Sequence, residues 1–349
     1  MKEIVDKLVE EGFEAYIVGG YVRDYLLGIS SNDVDICTNA TIDDLIKIFG
    51  DRGVYFKDYF AYHIKDDKYT YTITSYRKEL SYKNNKPNKI ESAKNLEEDI
   101  LRRDFTINTF AIDSNNRLVD ILDAKKDLDS KIIRVVGDID KKFNEDKTRL
   151  LRAIRLSCTL DFDLEPKILE FLEKHSNYLK NISDEIKVKE LSKIFDSVNY
   201  SKFFYLCNKY NLNKYFNISY DEIKESYNKY GVWSQIETDL PLSKKYKKII
   251  NKINDLVNKG DIGIYDLSLY NDDVLYNAAS ILGKSDKLKI LKDLNNAHSL
   301  IDIDISIDLM LRYVNVKDYM KVYRLIERNI MEGYLDNNND EIEEYLKTL

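Results

Sequence analysis

Residues 15–40, AYIVGGYVRDYLLGISSNDVDICTNA, carry the pattern that decides the fold of this chain. The apolar run AYIV predicts a short strand, and the pair Gly19 and Gly20 behind it permits a sharp turn and a close approach of the backbone to a ligand. The following residues have apolar side chains at helical spacing, and Gly28 stands where a helix would end. The stretch therefore predicts a strand, a glycine turn, a helix, a loop and a second strand.

Asp33 and Asp35 alternate with Val34 and Ile36 in the predicted second strand. On a strand this alternation places both carboxylates on one face and both apolar side chains in the core. Neighbouring carboxylates repel each other unless a cation lies between them, and Mg²⁺ is usually held by one or two carboxylates together with substrate phosphates. The backbone amides of the glycine turn and the helix behind it suit those phosphates. The pattern therefore predicts a site for magnesium and a nucleoside triphosphate.

Simpler interpretations explain parts of this stretch. A glycine turn and a solvated acidic strand end account for either piece alone, but not for their order within so few residues. A calcium loop would need a glycine and a closing glutamate at fixed places after Asp33, and neither is there. The Rossmann glycine pattern and the Walker A lysine are also missing.

The composition argues against several protein classes. Hydrophobic residues make up 44% and charged residues 33% of the 349 residues, and no apolar run reaches the length of a membrane span. The N-terminus predicts an amphipathic helix rather than a signal peptide. The three cysteines lie far apart without a CxxC pair, which disfavours a zinc knuckle or a disulfide framework. We therefore expect a soluble, cytoplasmic protein with no membrane partner, and the sequence points to no particular protein partner.

The net charge of −7 hides two basic segments. Residues 125–155 contain ten Lys or Arg against six Asp or Glu, and residues 242–259 contain six lysines against one aspartate. Local basic patches on an acidic chain are typical of a protein that binds phosphates in one groove. For the second segment, a solvated helix face is an equally simple interpretation.

The rest of the chain separates into a mixed N-terminal part and a helical remainder. Its patterns predict, in order, a helix over 41–50, strands over 54–62 and 68–76, a mobile loop over 77–95, a helix over 96–103, and a strand and turn over 117–128. From Ile139 onward helical spacing dominates. This predicts an α+β head with a mixed β-sheet and helices (1–138), followed by an all-α neck (139–205) and an all-α body and tail (206–349).

Two further segments combine arginines with aspartates. In residues 102–108, RRDFTIN, an arginine is placed to contact phosphate or ribose and an aspartate to orient it, although a charge cluster at a helix end is the simpler interpretation. In residues 145–155, EDKTRLLRAIR, helical spacing puts Asp146, Arg149 and Ala153 on one face. A carboxylate beside a guanidinium offers an acceptor and a donor fork, as the Watson–Crick partner of a base does. An exposed i,i+3 ion pair is the alternative.

These motifs, GGYVRDYLLG with DVDI, RRDFTIN and EDKTRLLRAIR, resemble the signatures of the class II tRNA nucleotidyltransferase and bacterial poly(A) polymerase family, within the polymerase-β-type nucleotidyltransferases. The tail, residues 333–349, resembles the closing segment of the family, whereas the likeness is loose over residues 200–320. The resemblance implies a nucleotidyltransferase head in a template-independent enzyme. Such an enzyme adds C and A to the 3′ end of tRNA from CTP and ATP and releases pyrophosphate. It also implies two Mg²⁺ ions as cofactors and the tRNA acceptor arm as the partner.

The motif positions imply roles for individual residues. Asp33 and Asp35 match the catalytic, metal-binding carboxylates. Asp146 and Arg149 match the pair that selects C or A over G and U. The other nucleotide-binding positions are Gly20, Arg23, Arg103, Arg152 and Arg155, and the supporting positions are Gly19, Asp24, Asp104, Asn108 and Glu145.

A departure from the family pattern at Thr72 and several rival functions accompany this resemblance. The family often has a glutamate on the strand where Thr72 stands here, so a third active-site carboxylate is in doubt. A poly(A) polymerase, or an enzyme that adds only CC or only A, would share every motif. The helical tail and the EDxxR segment disfavour a nucleotidyltransferase of antibiotic or protein targets. A non-catalytic RNA-binding module is disfavoured by the intact motif positions Asp33, Asp35, Arg103, Asp146 and Arg149.

Overall fold

A mixed β-sheet forms the centre of the N-terminal part of the computed structural model, which describes residues 2–297, 303 and 305–349. In chain order the strands of residues 15–119 are β1 (Ala15–Val18), β2 (Asp33–Thr38), β3 (Gly53–Phe56), β4 (Ala61–Lys65), β5 (Thr70–Ser75), β6 (Arg77–Lys83), β7 (Lys86–Ser92), β8 (Ala111–Ile112) and β9 (Leu118–Val119). Seven of them pair in the order β3-β4-β5-β2-β1-β8-β9, and β6 and β7 pair with each other. Strand β2 is parallel to β5 and antiparallel to β1, so both of its edges are hydrogen-bonded.

The first compact unit ends at Phe216 and contains eleven α-helices among the described residues. They are α1 (Lys2–Glu10), α2 (Gly20–Leu26), α3 (Ile42–Phe49), α4 (Leu96–Leu101), α5 (Lys125–Asp129), α6 (Ile139–Glu145), α7 (Thr148–Leu160), α8 (Pro166–His175), α9 (Asp184–Phe195), α10 (Tyr200–Tyr210) and α11 (Asn213–Phe216). Helix α3 begins at a capping box, in which the Thr41 and Asp44 side chains each accept a hydrogen bond from the other's backbone N–H. Two short strands, β10 (Ile132–Ile133) and β11 (Asp163–Leu164), form a parallel pair.

Strand β2 presents different side chains to the two faces of the sheet. Val34 and Ile36 are buried in a core cluster with residues of α1 and α3. Cys37 is buried in a second cluster with residues of α4. Asp33 and Asp35 share the face of Cys37 by alternation and are exposed. The predicted separation of carboxylates from apolar side chains along this strand is therefore confirmed.

The predicted mobile loop over 77–95 is wrong, because most of it forms the antiparallel hairpin β6–β7. Its turn is made by Asn84 and Asn85, which have φ values of 52° and 62°. Two consecutive positive φ values are typical of the two-residue turns that match the twist of a hairpin, and asparagine tolerates them. The hairpin was missed because its anchoring side chains are polar, so the segment lacks the apolar alternation by which strands are recognised.

The predicted strand over 54–62 is two strands rather than one. A 3₁₀ turn at Lys57–Tyr59 and Phe60, with a φ of 54°, reverse the chain between β3 and β4. The predicted helix over 41–50 and strand over 68–76 are confirmed, and β3, β4 and β5 belong to the sheet of β2 as expected.

The residues after Phe216 form a second compact unit, in which the described regular elements are helices and two short strands. Its elements are α12 (Lys229–Ser234), α13 (Lys244–Lys259), α14 (Asp266–Leu269), α15 (Asp272–Leu282), α16 (Ser285–Ala297), α17 (Ile307–Tyr313), α18 (Tyr319–Met331) and α19 (Asn339–Lys347), with the two-residue strands β12 (Ile218–Ser219) and β13 (Glu237–Thr238). Helices α12, α13, α15 and α16 share one core, and α17, α18 and α19 share another. The predicted fold class is confirmed, whereas the boundaries at 138 and 205 stay predictions.

Candidate active site

One cleft of about 560 Å³ in the first unit collects nearly all the residues singled out in the sequence. Thirteen of the fourteen line it: Gly19, Gly20, Arg23, Asp24, Asp33, Asp35, Arg103, Asp104, Asn108, Asp146, Arg149, Arg152 and Arg155. The fourteenth, Glu145, is hydrogen-bonded to Arg149. The fold therefore brings together segments that are more than a hundred residues apart in the chain.

Gly19 allows the turn between β1 and α2 to approach the floor of this cleft. Its φ is 77°, a conformation that side chains rarely adopt. A Cβ atom there would lie 3.0 Å from Asp35 Oδ2 and 3.2 Å from Arg103 Nη1. A side chain at this position would therefore be strained and would occupy the space beside the Asp35 carboxylate.

The two carboxylates of β2 supply oxygen ligands of the kind that Mg²⁺ takes. Asp35 is open to solvent through the mouth of the cleft, but the protein atoms packed around it displace much of its hydration and raise its pKa. The nearby Arg103 opposes that rise, and the like charge of Asp33 adds to it. A bound cation would relieve this conflict. Hard carboxylate oxygens fit Mg²⁺, which completes its shell with water and phosphate oxygens.

Thr72 lies directly beside Asp35 across the parallel pair β2–β5. It is the position at which the family resemblance left a third carboxylate in doubt. Within residues 2–297, 303 and 305–349, no group of three or more His, Cys, Asp or Glu side chains is arranged to hold a metal. Asp33 and Asp35 are thus the carboxylates that the paired strands β2 and β5 present to the cleft.

Arg103 reaches the cleft from the end of α4. Its Nη2 donates to Asp99 Oδ2 at 3.1 Å, and Asp99 also accepts from Arg102 at 3.0 Å. Burial alone would raise the pKa of Asp99, but the two arginines hold it below its ordinary value. The buried Nε of Arg103 has no hydrogen-bond partner among the described residues. An anionic ligand would satisfy this donor.

Asp104 is the centre of a second charged network. Its Oδ1 accepts from Phe105 N at 2.8 Å and Asn108 Nδ2 at 3.0 Å, and Arg152 Nη2 lies 2.6 Å from Oδ2. Burial opposes ionisation, but Arg152 and these hydrogen bonds outweigh it and lower the pKa of Asp104 to about 2.

Arg23 joins the helix after the glycine turn to this network. Its guanidinium donates to Asn108 Oδ1 at 2.6 Å and to Asp24 Oδ1 at 2.6 Å. Asn108 thus links Arg23 to Asp104, which orients both charged side chains at the cleft. Arg155, further along the wall, donates to Glu190 Oε2 of α9 at 2.5 Å.

The predicted common helical face of Asp146 and Arg149 is wrong, because the helix is interrupted there. Helix α6 ends at Glu145, and Asp146 has extended backbone angles (φ −142°, ψ 102°). Its Oδ1 accepts from Thr148 N at 2.9 Å and from Thr148 Oγ1 at 2.6 Å, so it holds the first turn of α7. Asp146 and Arg149 nevertheless both line the cleft.

Arg149 is held by partners other than Asp146, so the alternative of an exposed i,i+3 ion pair is also wrong. The residue is 5% exposed. Its Nη1 donates to Lys142 O at 3.0 Å and to Glu145 Oε2 at 3.1 Å, and its Nη2 donates to Tyr82 Oη at 2.7 Å. Its guanidinium carbon also lies 5.2 Å from the centre of the Tyr82 ring.

The hairpin β6–β7 supplies four cleft residues that the sequence interpretation missed, namely Arg77, Glu79, Tyr82 and Pro87. Glu79 accepts from Arg77, Arg102 and the hydroxyl of Tyr82. Asn85, at the turn, accepts from Lys147 N at 3.1 Å, beside the break between α6 and α7. The sequence signal for this element was the pair Asn84 and Asn85, because asparagine tolerates the positive φ values that a two-residue hairpin turn requires.

Two observations concern surfaces outside the cleft. Lys244, Lys245, Lys247 and Lys248 are exposed on α13, as the basic segment 242–259 predicted. No helix in the described part of the chain is long and apolar enough to cross a membrane.

Comparison with known proteins identifies relatives of this chain. The family model described as the poly A polymerase head domain matches residues 15–134. The CCA-adding enzyme of Ligilactobacillus salivarius is 40% identical over 186 residues, which are 52% of this chain and 45% of that protein. The CCA-adding enzyme of Staphylococcus aureus is 35% identical over 204 residues, which are 58% of this chain and 51% of that protein. The chain thus spans about half the length of these curated relatives.

Solved structures match almost the whole chain. The crystal structure of the Bacillus stearothermophilus CCA-adding enzyme in complex with CTP has a TM-score of 0.74 at 21% identity and covers 99% of this chain and 96% of its own. The Thermotoga maritima CCA-adding enzyme complexed with tRNA has a TM-score of 0.67 at 19% identity and covers 99% and 94%. At these identities the matches establish the fold. The sequence relatives point to the same family over about half of this chain.

Proposed function

We propose that this protein, whose residues 15–134 match the family model described as the poly A polymerase head domain, adds C and A to the 3′ end of tRNA from CTP and ATP. One observation carries the proposal. The glycine turn, the Asp33–Asp35 strand, the RRD segment and the EDxxR segment converge on one cleft. A carboxylate pair, several arginines and a base-sized polar edge are the groups that template-independent nucleotidyl transfer needs.

In the proposed reaction, the 3′-hydroxyl oxygen of the RNA attacks the α-phosphorus of the nucleotide. A new phosphodiester bond forms, the bond to the pyrophosphate oxygen breaks, and the hydroxyl proton is lost to solvent. Asp33 and Asp35 would hold two Mg²⁺ ions. Such ions lower the pKa of an attacking hydroxyl and neutralise charge on the triphosphate.

The chain's own groups bind and orient the triphosphate. Gly20 and the first turn of α2 present backbone N–H groups, and Gly19 leaves space beside Asp35. Arg103 offers its unpartnered Nε, and Arg152 offers a half-exposed guanidinium. Arg23 and Arg155 are already engaged by Asn108 and Glu190, so we assign them to shaping the wall as well as to binding.

Base choice is assigned to Asp146 and Arg149. Cytosine and adenine both present an amino donor beside a ring nitrogen acceptor, whereas guanine and uracil present a carbonyl where the amino group would be. Asp146 supplies acceptors and Arg149 supplies donors. A carboxylate has about four lone-pair positions, so the bonds to Thr148 leave capacity for a base amino group.

The proposed division of labour follows the predicted domains. The head (1–138) carries transfer, the neck (139–205) carries base choice, and the body and tail (206–349) hold the tRNA acceptor arm. The exposed lysines of α13 lie in the body and tail, and they support the proposal that this region contacts tRNA phosphates. Three buried free cysteines suit a reducing compartment, so we propose that the protein acts in the cytoplasm.

The test uses purified protein and three tRNA substrates, which lack CCA, CA or A. Each substrate is incubated with Mg²⁺ and one nucleoside triphosphate at a time. We expect addition of C to the substrates lacking CCA or CA and addition of A to the substrate lacking only A. A tRNA that already ends in CCA should not be extended. Absence of product from every substrate would contradict the proposal.

Poly(A) addition is the second candidate, because the matching family model bears that name. Enzymes that add only CC or only A share the same motifs. Repeated A addition from ATP to an RNA ending in CCA would support the poly(A) alternative. A product that stops after CC, or activity confined to the substrate lacking A, would identify a partial enzyme.

A further inference from the structure

Three consecutive backbone carbonyls at the end of α4 are held by two cationic side chains. Lys142 Nζ donates to Leu101 O at 2.7 Å and to Arg103 O at 2.9 Å. Between them, Arg102 O accepts from Arg149 Nη2 at 3.4 Å. Carbonyls at a helix C-terminus have no partner inside the helix, and a cation there is favourable. The backbone of the RRD segment is therefore fixed by residues of α6 and α7.

Lys142 also touches Arg149 through its own backbone. Its carbonyl accepts from Arg149 Nη1 at 3.0 Å. The side chain of Lys142 thus holds the segment that carries Arg103 and Asp104. Its main-chain carbonyl holds the guanidinium of Arg149. Arg103 faces Gly19 and Asp35, whereas Arg149 lies near Asp146, so Lys142 connects two parts of the cleft.

Lys142 is buried, with 8% of its surface exposed. A buried ammonium group is costly unless it is hydrogen-bonded, and the two carbonyls supply those bonds. Four charged groups on neighbouring segments act on it: Arg149 on α7, Glu145 on α6, Asp104 after α4 and Glu79 on β6. Burial and the Arg149 charge outweigh the three carboxylates and lower the pKa of Lys142 to about 8.

We propose that Lys142 is a positioning residue, which sets the Arg102–Asp104 segment and the Arg149 guanidinium in one arrangement so that triphosphate binding and base choice depend on each other. The proposal rests on the proposed nucleotidyl transfer. Lys142 itself does not touch the nucleotide. Its contribution is expressed in the KM for CTP and ATP and in nucleotide preference, while the metal-binding carboxylates of β2 are unaffected.

The first test compares Lys142→Met with Lys141→Met, which makes the same change at the exposed neighbouring position of α6. Lys142→Met should raise the KM for CTP and for ATP about tenfold, as expected for the removal of hydrogen bonds from a charged group, and should reduce the preference for CTP over UTP. The kcat should change less than KM. Equal KM and equal preference in the two variants would overturn the proposal.

The second test does not depend on the folding of Lys142→Met. The wild-type KM for CTP should rise between about pH 7 and about pH 9, because Lys142 loses its charge near the middle of that range. Lys142→Arg keeps a charge throughout, so its KM should be close to that of wild type at the lower pH and should stay flat. A flat wild-type profile, or a rise that persists in Lys142→Arg, would overturn the proposal.

Calorimetric titration with CTP and Mg²⁺ separates this proposal from the proposed function. Failure of nucleotidyl transfer would appear as absence of product from wild type on every tRNA substrate. Failure of the positioning role would appear as equal CTP affinity of wild type and Lys142→Met. Weaker CTP binding by Lys142→Met than by Lys141→Met supports the role of Lys142 independently of turnover.

Discussion

The hydroxyl of Tyr82 on β6 accepts a hydrogen bond from Arg149 on α7 at 2.7 Å, across 67 positions of sequence. The same hydroxyl donates to Glu79, and the Arg149 guanidinium lies over the Tyr82 ring. The hairpin β6–β7 therefore fixes the donor side chain to which we assign base choice. These contacts hold strand β6 at the cleft, although its sequence lacks apolar alternation.

Tyr82→Phe should weaken nucleotide preference without abolishing transfer. The ring contact to Arg149 remains, but a hydrogen bond to a charged group disappears, which corresponds to roughly a tenfold change in a rate or affinity ratio. Incorporation of CTP, ATP, GTP and UTP is measured singly on tRNA lacking CCA. Tyr55→Phe, the same change at an exposed position of β3, is the control and should leave all four rates unchanged. Equal preference in the two variants would rule out a role of the hairpin in base choice.

Asp33→Ala and Asp35→Ala should each abolish transfer while the fold remains intact. Removing either carboxylate also relieves repulsion, so the thermal stability without Mg²⁺ should hold or rise. A rate within about tenfold of wild type, or about 1.4 kcal/mol, would contradict the metal role. Asp67→Ala, at an exposed site before β5, is the control. Chelation should stop the wild-type enzyme, and added Mg²⁺ should restore it.

Asp146→Ala should lose nucleotide selectivity more than turnover, with GTP and UTP incorporation rising relative to CTP and ATP. It also removes the acceptor for Thr148 at the start of α7, which should lower the free energy of unfolding by about 1 kcal/mol. Asp146→Asn separates the two effects, because an amide oxygen can still accept from Thr148. Single-nucleotide incorporation and thermal unfolding are measured together. Wild-type discrimination by Asp146→Ala would place base choice elsewhere.

Replacing Lys244, Lys245, Lys247 and Lys248 of α13 with Gln should weaken tRNA binding and flatten its dependence on salt. For every phosphate that is no longer neutralised, the slope of log affinity against log salt should become shallower by about 0.7–0.9, because fewer counterions are released. A control with Gln at the exposed Lys47, Lys57, Lys65 and Lys68 has the same net charge. Equal slopes in the two variants would move the binding groove away from α13.

Asp104 should make stability fall in acid. Its folded-state pKa of about 2 lies below the ordinary value of 3.8, so its contribution is full above about pH 4 and disappears as the pH falls toward 2. The difference corresponds to about 2 kcal/mol in the free energy of unfolding. Urea denaturation from about pH 5 to about pH 2.5 should therefore show a steeper loss for wild type than for Asp104→Asn. Parallel pH dependences would contradict the role of this buried carboxylate.

The sequence predicted the parts of the site that short-range patterns encode. Gly19, Gly20, Asp33 and Asp35 lie in one continuous stretch, and the periods of a strand and a helix place them directly. The apolar stripe of α3 and its cap at Thr41 are equally local. Such elements follow from spacing and capping alone.

The sequence misled where long-range contacts decide the local structure. Helical spacing continues through Asp146, but the backbone breaks there, and Asn85 of the hairpin bonds to Lys147 N beside the break. The polar strand β6 is held by Arg102 and Arg149, which are distant in sequence. In the sequence, Lys142 does not differ from the other lysines of predicted helices. Only its contacts with Leu101 and Arg103 in the folded chain distinguish it. No pattern within one segment contains this information.

Gly19 also bears on how the protein can change over evolutionary time. Its φ of 77° and the close approaches that a Cβ would make to Asp35 and Arg103 set two separate barriers to any replacement. A descendant protein that no longer catalyses nucleotidyl transfer can replace Asp33 with another residue without straining the backbone. The same descendant must still keep glycine at position 19 for as long as it keeps this turn. In a lineage drifting away from catalysis, the glycine should therefore outlast the carboxylates beside it.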